Sequence, residues 1–229
     1  MLFRSVSRTT TNIRQVALKV SVIGTGYLGA THAACVSSMG FTVKGVDVDQ
    51  AKIDSLIKSK VPFYEPGLED LLAAEISSGR LSFTTNFSEI SDCDIHFICV
   101  GTPQQTNSLA ADLRYVDAAL EAVAKVAKPG SLVVGKSTVP VGTAARLRAK
   151  LHEINPQVDL AWNPEFLREG FAVEDTLRPN RLVVGVVKDE HEIKLKELYK
   201  KNLDEGTPWV RADRKSTRLN SSHSQQSRM

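Results

Sequence analysis

The residues best placed for chemistry begin at a glycine turn. Val20-Ser21-Val22-Ile23 is an apolar run that stops at Gly24-Thr25-Gly26-Tyr27-Leu28-Gly29, where the glycines fall as G-x-G-x-x-G. Gly24 permits a tight turn after a strand. Gly26 has no Cβ to hold a phosphate off the backbone, and Gly29 lets a following helix pack closely. A helix from Tyr27 to Ser38 is expected, and it points its free N–H groups and positive dipole end at any anion on the turn. A second strand, Phe41 to Asp47, comes next, and Asp47 stands 18 residues past Gly29. A carboxylate there can accept hydrogen bonds from a ribose. Motif, order and spacing together favour a dinucleotide site; the same residues could also be a glycine turn and a helix-capping Asp. No arginine follows Asp47 until Arg80, and a carboxylate repels a 2′-phosphate, so NAD is expected rather than NADP. Lys52 falls near the adenosine end, where it could equally be a solvated helix residue.

A second set of acids lies in Asn163-Pro164-Glu165-Phe166-Leu167-Arg168-Glu169-Gly170. Glu165 and Glu169 are four apart, so on a helical turn they share one face. Paired carboxylates can bind sugar hydroxyls or do acid–base work. On spacing alone a solvated acidic turn is the simpler reading. The three cysteines, Cys35, Cys93 and Cys99, show neither metal nor disulfide spacing, so no metal is expected and a reducing, cytoplasmic setting is the default. Cys99 and His96 sit inside an apolar run and read as core.

The elements that must position these groups alternate. After Asp47 come helical patterns around Ile53, Leu56 and Ile57 and from Leu68 to Ser77, then a short strand, Leu81 to Thr84. Asp94 to Val100 is nearly continuous in apolar residues, as a central parallel strand should be, and it ends at Gly101-Thr102-Pro103. A polar stretch, Gln104 to Asp112, leads to a helix from Leu113 to Lys128. The strand Ser131–Lys136 follows, with Ser137-Thr138 in its terminal loop and Thr143 as cap of a helix from Ala144 to Glu153. Strands at Val158–Trp162 and Arg181–Val187 and a helix from Glu190 to Lys201 complete the series, and Thr207 to Val210 opens a last strand. Strand–helix alternation predicts right-handed βαβ units and a Rossmann-type, doubly wound, mostly parallel sheet with helices on both faces, over residues 15–212. Ligands then sit beyond the carboxyl ends of the strands, where the loops after Val100 and Lys136 join the glycine turn.

Composition narrows the partners. The 229 residues carry a formal charge of +3, but seven of the 29 bases lie in residues 1–14 and 214–229, which hold no acids. The remainder has 22 bases against 26 acids, so charge gives no reason to expect nucleic acid. No apolar run reaches the ~18 residues of a membrane span, and no membrane partner is expected. Residues 1–14 have the Arg, Ser and Thr content of a transit peptide, and 213–229 lack apolar periodicity. Both ends also resemble translated sequencing adapters, which is the preferred reading; they are expected to be non-native and are set aside from the fold.

Five segments together resemble the nucleotide-sugar dehydrogenase family: Val22–Gly29, Tyr64-Glu65-Pro66-Gly67-Leu68, Val100–Pro103, Lys136–Thr143 and Asn163–Gly170. The resemblance implies a cofactor, NAD, held by Gly24, Thr25, Gly26, Tyr27, Leu28, Gly29, Asp47 and Lys52, with Val100, Gly101, Thr102, Ser137 and Thr138 lining it. It implies a UDP-sugar met by Glu165, Phe166, Leu167, Arg168 and Glu169, with Thr138, Glu165 and Glu169 in catalytic work. The Tyr64–Leu68 segment leans toward UDP-glucose over GDP-mannose or an N-acetylated sugar. The family reaction oxidises a primary alcohol to an acid in two hydride steps through a cysteine thioester. Here the sequence departs from the family: the glycine-flanked cysteine of a later domain, and the Lys and Asn of a long central helix, have no counterpart. The chain is therefore expected to be the NAD-binding part alone, with homo-oligomer contacts in the absent region. A non-catalytic NAD-binding module is the rival of another class.

Overall fold

A computed structural model describes residues 18–104 and 111–212. The extensions expected at 1–14 and 213–229 and most of the polar stretch after Gln104 lie outside the described residues. In chain order the elements are β1 (Lys19–Ile23), α1 (Tyr27–Ser38), β2 (Thr42–Val46), α2 (Gln50–Ile57), α3 (Leu68–Ser77) and β3 (Leu81–Thr84). After a 3-10 turn at Phe87–Ile90 come β4 (Ile95–Ile98), α4 (Arg114–Val126), β5 (Leu132–Gly135), α5 (Thr143–Ile154) and β6 (Asp159–Trp162). The last are α6 (Ala172–Leu177), β7 (Leu182–Gly185), α7 (Asp189–Leu198), α8 (Lys200–Asp204) and β8 (Trp209–Ala212).

The strands form one eight-stranded sheet in the order β3-β2-β1-β4-β5-β6-β7-β8. All neighbours run parallel except β6 and β7, which meet antiparallel through Trp162 and Gly185. The central strands are buried on both faces, which is why their sequences are nearly continuous in apolar residues. Their side chains alternate between two cores. Val20, Val22, Ile95, Phe97, Leu132 and Val134 face the core closed by α1 and α3, while Ile23, Ile98 and Val133 face the one closed by α4 and α5. A polar pair interrupts the pattern: Ser21 and His96 are register partners, and Ser21 Oγ lies 2.7 Å from His96 Nδ1. Burial lowers the His96 pKa to about 4, so the ring is a neutral core residue, as its apolar setting suggested.

The chain departs from expectation where periodicity is short. Residues 163–168 take no regular structure, so Glu165 and Glu169 do not share a helical face. Thr143 does not cap α5; it is the helix's first residue, and Gly142 at φ 91° is the cap. The helix expected from Glu190 to Lys201 breaks at Tyr199 into α7 and α8. Ile57, expected on the buried side of α2, is half exposed. Two elements were not expected: α6 and the 3-10 turn, whose amide end is held by Asn86 Oδ1 accepting the Ser88 N–H at 3.0 Å. Each is too short to show a helical repeat. Among the described residues no helix is long and apolar enough to cross a membrane.

Candidate functional site

The strand order reverses between β1 and β4, and their carboxyl ends meet there. Gly24, the first residue after β1, holds φ +85°, and a Cβ on it would lie 2.7 Å from Val100 Cγ1. A Cβ on Gly29 would stand 1.8 Å from the Gly24 carbonyl oxygen. These two glycines are dictated by packing. Gly26 differs: it is exposed, and a Cβ there would meet nothing within 4 Å. No side chain caps the amino end of α1 and no acid stands in its first turn, so its leading amides are free for an anion.

Asp47 follows β2 at the same edge and is 7% exposed. Its Oδ2 accepts the Thr25 N–H at 2.8 Å and the Thr25 hydroxyl at 3.1 Å, and its Oδ1 accepts the Asp49 N–H at 3.1 Å. Lys52 Nζ lies 3.7 Å from Oδ2, which places Lys52 beside Asp47. The carboxylate is thus oriented without a ligand. Leu28 is half-buried and packs on the first core. The loops after β4 and β5 are stitched together: Ser137 Oγ donates to the Val100 carbonyl at 2.6 Å, and Thr102 Oγ1 to the Thr138 carbonyl at 3.1 Å. Gly101 and Thr138 are exposed on that surface.

Beside it lies a cavity of about 340 Å³. Glu165, Phe166 and Leu167 line it, together with Lys136, Asn163 and His32. Lys136 is buried and its Nζ donates to Asn163 Oδ1 at 3.2 Å. The same oxygen accepts the Tyr199 hydroxyl at 2.7 Å, and Asn163 Nδ2 donates to the Val183 carbonyl at 2.9 Å. Burial lowers the Lys136 pKa, the ordinary cost of removing an ammonium from water. Burial also pushes the Glu165 carboxyl up to about 7, against the pull of the Lys136 charge, and Glu165 Oε2 has no hydrogen-bond partner. A carboxyl there can take or release a proton near neutrality. His32 is fully buried, holds its ring edge-on to Phe97 at 4.5 Å, and neither ring nitrogen has a partner among the described residues.

The five residues expected to meet a substrate divide. Glu165, Phe166 and Leu167 face the cavity, with Arg181 stacked over the Phe166 ring at 5.2 Å. Arg168 is instead tied to Asp175 through two guanidinium contacts and its own backbone N–H, and Glu169 is exposed. Lys136, His32, Asn163 and Tyr199 were not foreseen as site residues. The one signal was a lysine ending an apolar strand, since an ammonium at such a position must find a buried partner. All three thiols are buried, with Cys35 and Cys93 pushed up to about 12 and Cys99 further, so none is poised as a nucleophile. Asp159, Glu190 and His191 bring ligand-type atoms within 4.8 Å of one another, but Lys188 Nζ already neutralises Asp159 at 2.6 Å.

An open helix amino end over a glycine turn at a strand-order reversal is the arrangement of a dinucleotide-binding domain of the doubly wound class. Residues 18–203 match the profile of the UDP-glucose/GDP-mannose dehydrogenase family, NAD binding domain, and the chain belongs to that family. A UDP-glucose 6-dehydrogenase of Rhizobium meliloti (strain 1021) is 44% identical over 172 residues, 74% of this chain and 39% of that protein. Among solved structures, a UDP-glucose dehydrogenase from Pyrobaculum islandicum aligns with TM-score 0.78 and 38% identity over 92% of this chain and 48% of its own. A ternary complex of GDP-mannose dehydrogenase from Pseudomonas aeruginosa aligns with TM-score 0.79 and 35% identity over 85% of this chain and 46% of its own. The chain therefore spans less than half the length of these relatives. NAD is the cofactor of this domain, and the open face at Gly26 with free α1 amides fits its pyrophosphate.

Proposed function

We propose that this chain is the cofactor-holding part of an NAD-dependent oxidoreductase that converts UDP-glucose to UDP-glucuronate. The observation that carries the reading is Glu165: a half-buried carboxyl that titrates near neutrality, lining a cavity with Phe166 and Leu167. A bare NAD sensor has no need of it. NAD, when bound, supplies the hydride-accepting ring. The amides from Gly26 onward hold its pyrophosphate, Asp47 accepts the adenosine ribose hydroxyls, and Ser137 and Thr138 border the nicotinamide end. Glu165, with Glu169 beside the same segment, would hold a sugar hydroxyl or water and accept its proton.

The choice of sugar rests on the Tyr64–Leu68 segment and on the UDP-glucose 6-dehydrogenase relatives. GDP-mannose is the second reading, because a dehydrogenase of that name matches the fold equally well. The thioester step of the family needs a thiolate, and the buried thiols of this chain do not supply one. The chain is therefore expected to bind NAD and fail to sustain NADH formation from UDP-glucose. The test is calorimetry with NAD, then UDP-glucose and GDP-mannose on the NAD-loaded chain, beside an NADH absorbance assay. Sustained turnover with two NADH per sugar would put Cys35, Cys93 or Cys99 back in the chemistry. Preference for GDP-mannose would overturn the sugar assignment. In the complete protein, the homo-oligomer contacts and a cytoplasmic site of action are part of the same proposal.

A further inference from the structure

Three segments far apart in sequence meet at one phenol. Tyr27 is the first residue of α1, so its backbone belongs to the glycine turn while its side chain runs inward. The phenol oxygen accepts the Gly170 N–H at 3.1 Å and donates its hydrogen to Glu65 Oε2 at 2.5 Å. The other carboxylate oxygen, Oε1, accepts the Val173 N–H at 3.1 Å, in the first turn of α6. Glu65 is 6% exposed, and the Phe63 ring meets Tyr27 edge-on at 4.9 Å. Burial, reinforced by Glu65, pushes the phenol up to about 12, so it keeps the hydrogen that the bond to Glu65 requires.

The arrangement has a direction. The residue that roots the phenol has its own amide at the open amino end of α1, where an anion settles. The groups that donate to the phenol oxygen and to the carboxylate are the backbone N–H of Gly170 and of Val173, just after Glu169 in the chain. The two bonds made by the Glu65 carboxylate, from the phenol and from Val173, are part-buried and carry a charged acceptor, which makes them stronger than neutral ones. We propose that Tyr27 and Glu65 act as positioning residues that transmit occupancy of the glycine turn to the Glu169–Val173 backbone, so that NAD orders the segment carrying the sugar-facing acids. By reciprocity, a ligand that fixes that segment tightens NAD. The inference rests on reading 165–169 as substrate-facing, but its test needs only NAD.

The test is amide hydrogen exchange at Gly170 and Val173, with and without saturating NAD, in the wild type, Tyr27→Phe and Glu65→Gln. In the wild type NAD should slow both amides by about fivefold or more, the low end of ordinary coupling between sites. Tyr27→Phe removes one oxygen; with each protein saturated with NAD as judged by calorimetry, the NAD-linked slowing at Gly170 should fall below about twofold. Glu65→Gln turns one of two acceptor oxygens into a donor, so the side chain can no longer accept from both Tyr27 and Val173, and the slowing should fall below about twofold at one or both amides. A merely structural junction would loosen these amides equally with and without NAD, leaving the ratio unchanged, and that result overturns the proposal. So does a wild type in which calorimetry shows NAD bound and neither amide slows. If Glu65→Gln does not fold, Tyr27→Phe still decides. Failure of the sugar reading shows separately, as absence of UDP-glucose binding with the NAD-linked slowing intact.

Discussion

The two halves of the sheet edge are built by different means. Around Gly24–Gly29 the backbone makes the site: bare amides, two glycines fixed by close approach and one left open. Asp47 is the main side chain there, and its acceptors are already bonded to Thr25 and Asp49. Around Glu165 side chains make the site, and their polar atoms are poorly satisfied. Among the described residues Lys136 has one hydrogen bond from its ammonium, while Glu165 Oε2 and both His32 nitrogens have none. A site made of backbone can be stiff before its ligand arrives, with only the leading amides of α1 left open for it. A site made of buried polar side chains keeps unmet hydrogen-bonding capacity, which costs stability and holds chemistry in reserve.

The sharpest way to break this contrast is at the glycines themselves. Gly29→Ala forces a Cβ into the Gly24 carbonyl at 1.8 Å and should cost about 3 kcal/mol or more of stability. Gly26→Ala places its Cβ in open space and should leave the denaturation midpoint within about 0.5 kcal/mol of wild type. NAD affinity should nevertheless fall tenfold or more, about 1.4 kcal/mol, because the methyl stands where the pyrophosphate must approach. Urea denaturation and calorimetry read the two together. Equal destabilisation by both variants would show that Gly26 is a packing glycine like its neighbours.

Next in size is Asp47→Ala, expected to weaken NAD by about 1–3 kcal/mol, the scale of hydrogen bonds to a charged acceptor. Wild type should also prefer NAD to NADP, and the variant should lose that preference. Tighter NADP binding by the wild type would remove Asp47 from the ribose. Part of the loss is structural, because Asp47 also holds the Thr25 amide. The stability of Asp47→Ala by urea denaturation reads that structural part, and Thr25→Val, which removes only the hydroxyl, isolates the hydroxyl's share of it.

The contrast also explains what the sequence disclosed. The cofactor half lies within β1, α1 and β2, so its spacing is local and G-x-G-x-x-G with Asp47 could be read directly. The sheet was legible for a similar reason: strands buried on both faces must be apolar throughout, and the helices between them have clear repeats. The other half assembles His32 from α1, Lys136 from the end of β5, Asn163 after β6 and Tyr199 after α7. No local pattern joins those four. The shared helical face that the spacing of Glu165 and Glu169 allows does not form, because residues 163–168 are irregular, tied by Asn163 to Val183 and by Arg168 to Asp175. Thr143 has a capping residue type, but Gly142 turns the chain with a positive φ and leaves no capping role for the side chain.

A smaller effect tests the side-chain half by pH. The folded Glu165 carboxyl is raised from 4.5 to about 7 by burial, so between those values the unfolded state ionises while the folded state keeps its proton. Stability should therefore be highest below the unfolded value and fall as pH rises through that window, by about 1–2 kcal/mol from this group after solvent screening. Glu165→Gln should flatten that part of the profile and be the more stable protein above pH ~7. Lys136→Met removes the charge that favours the carboxylate and should move the fall to higher pH. Denaturation at a series of pH values checks all three. A wild-type profile that rises across the window would mean Glu165 is ionised in the fold.

The smallest effect falls where the two halves touch. Thr102 Oγ1 donates to the Thr138 carbonyl at 3.1 Å, one of the side-chain bonds that tie the loop after β4 to the loop after β5. Both loops border the proposed nicotinamide end, and Thr138 is a proposed catalytic residue. The bond is largely open to water, so Thr102→Val exchanges it for solvation of the carbonyl and should lower stability by only about 0.5–1 kcal/mol. Ser137 Oγ still holds the Val100 carbonyl at 2.6 Å, which keeps the loops in register. NAD affinity should therefore fall by no more than about threefold, in keeping with a site whose grip is mostly backbone and Asp47. Calorimetry on Thr102→Val and on Thr102→Ser, which restores the donor, measures this. A loss of NAD binding as large as that of Asp47→Ala, rescued by Ser, would show that this hydroxyl positions the nicotinamide end and that the cofactor half depends on side chains after all.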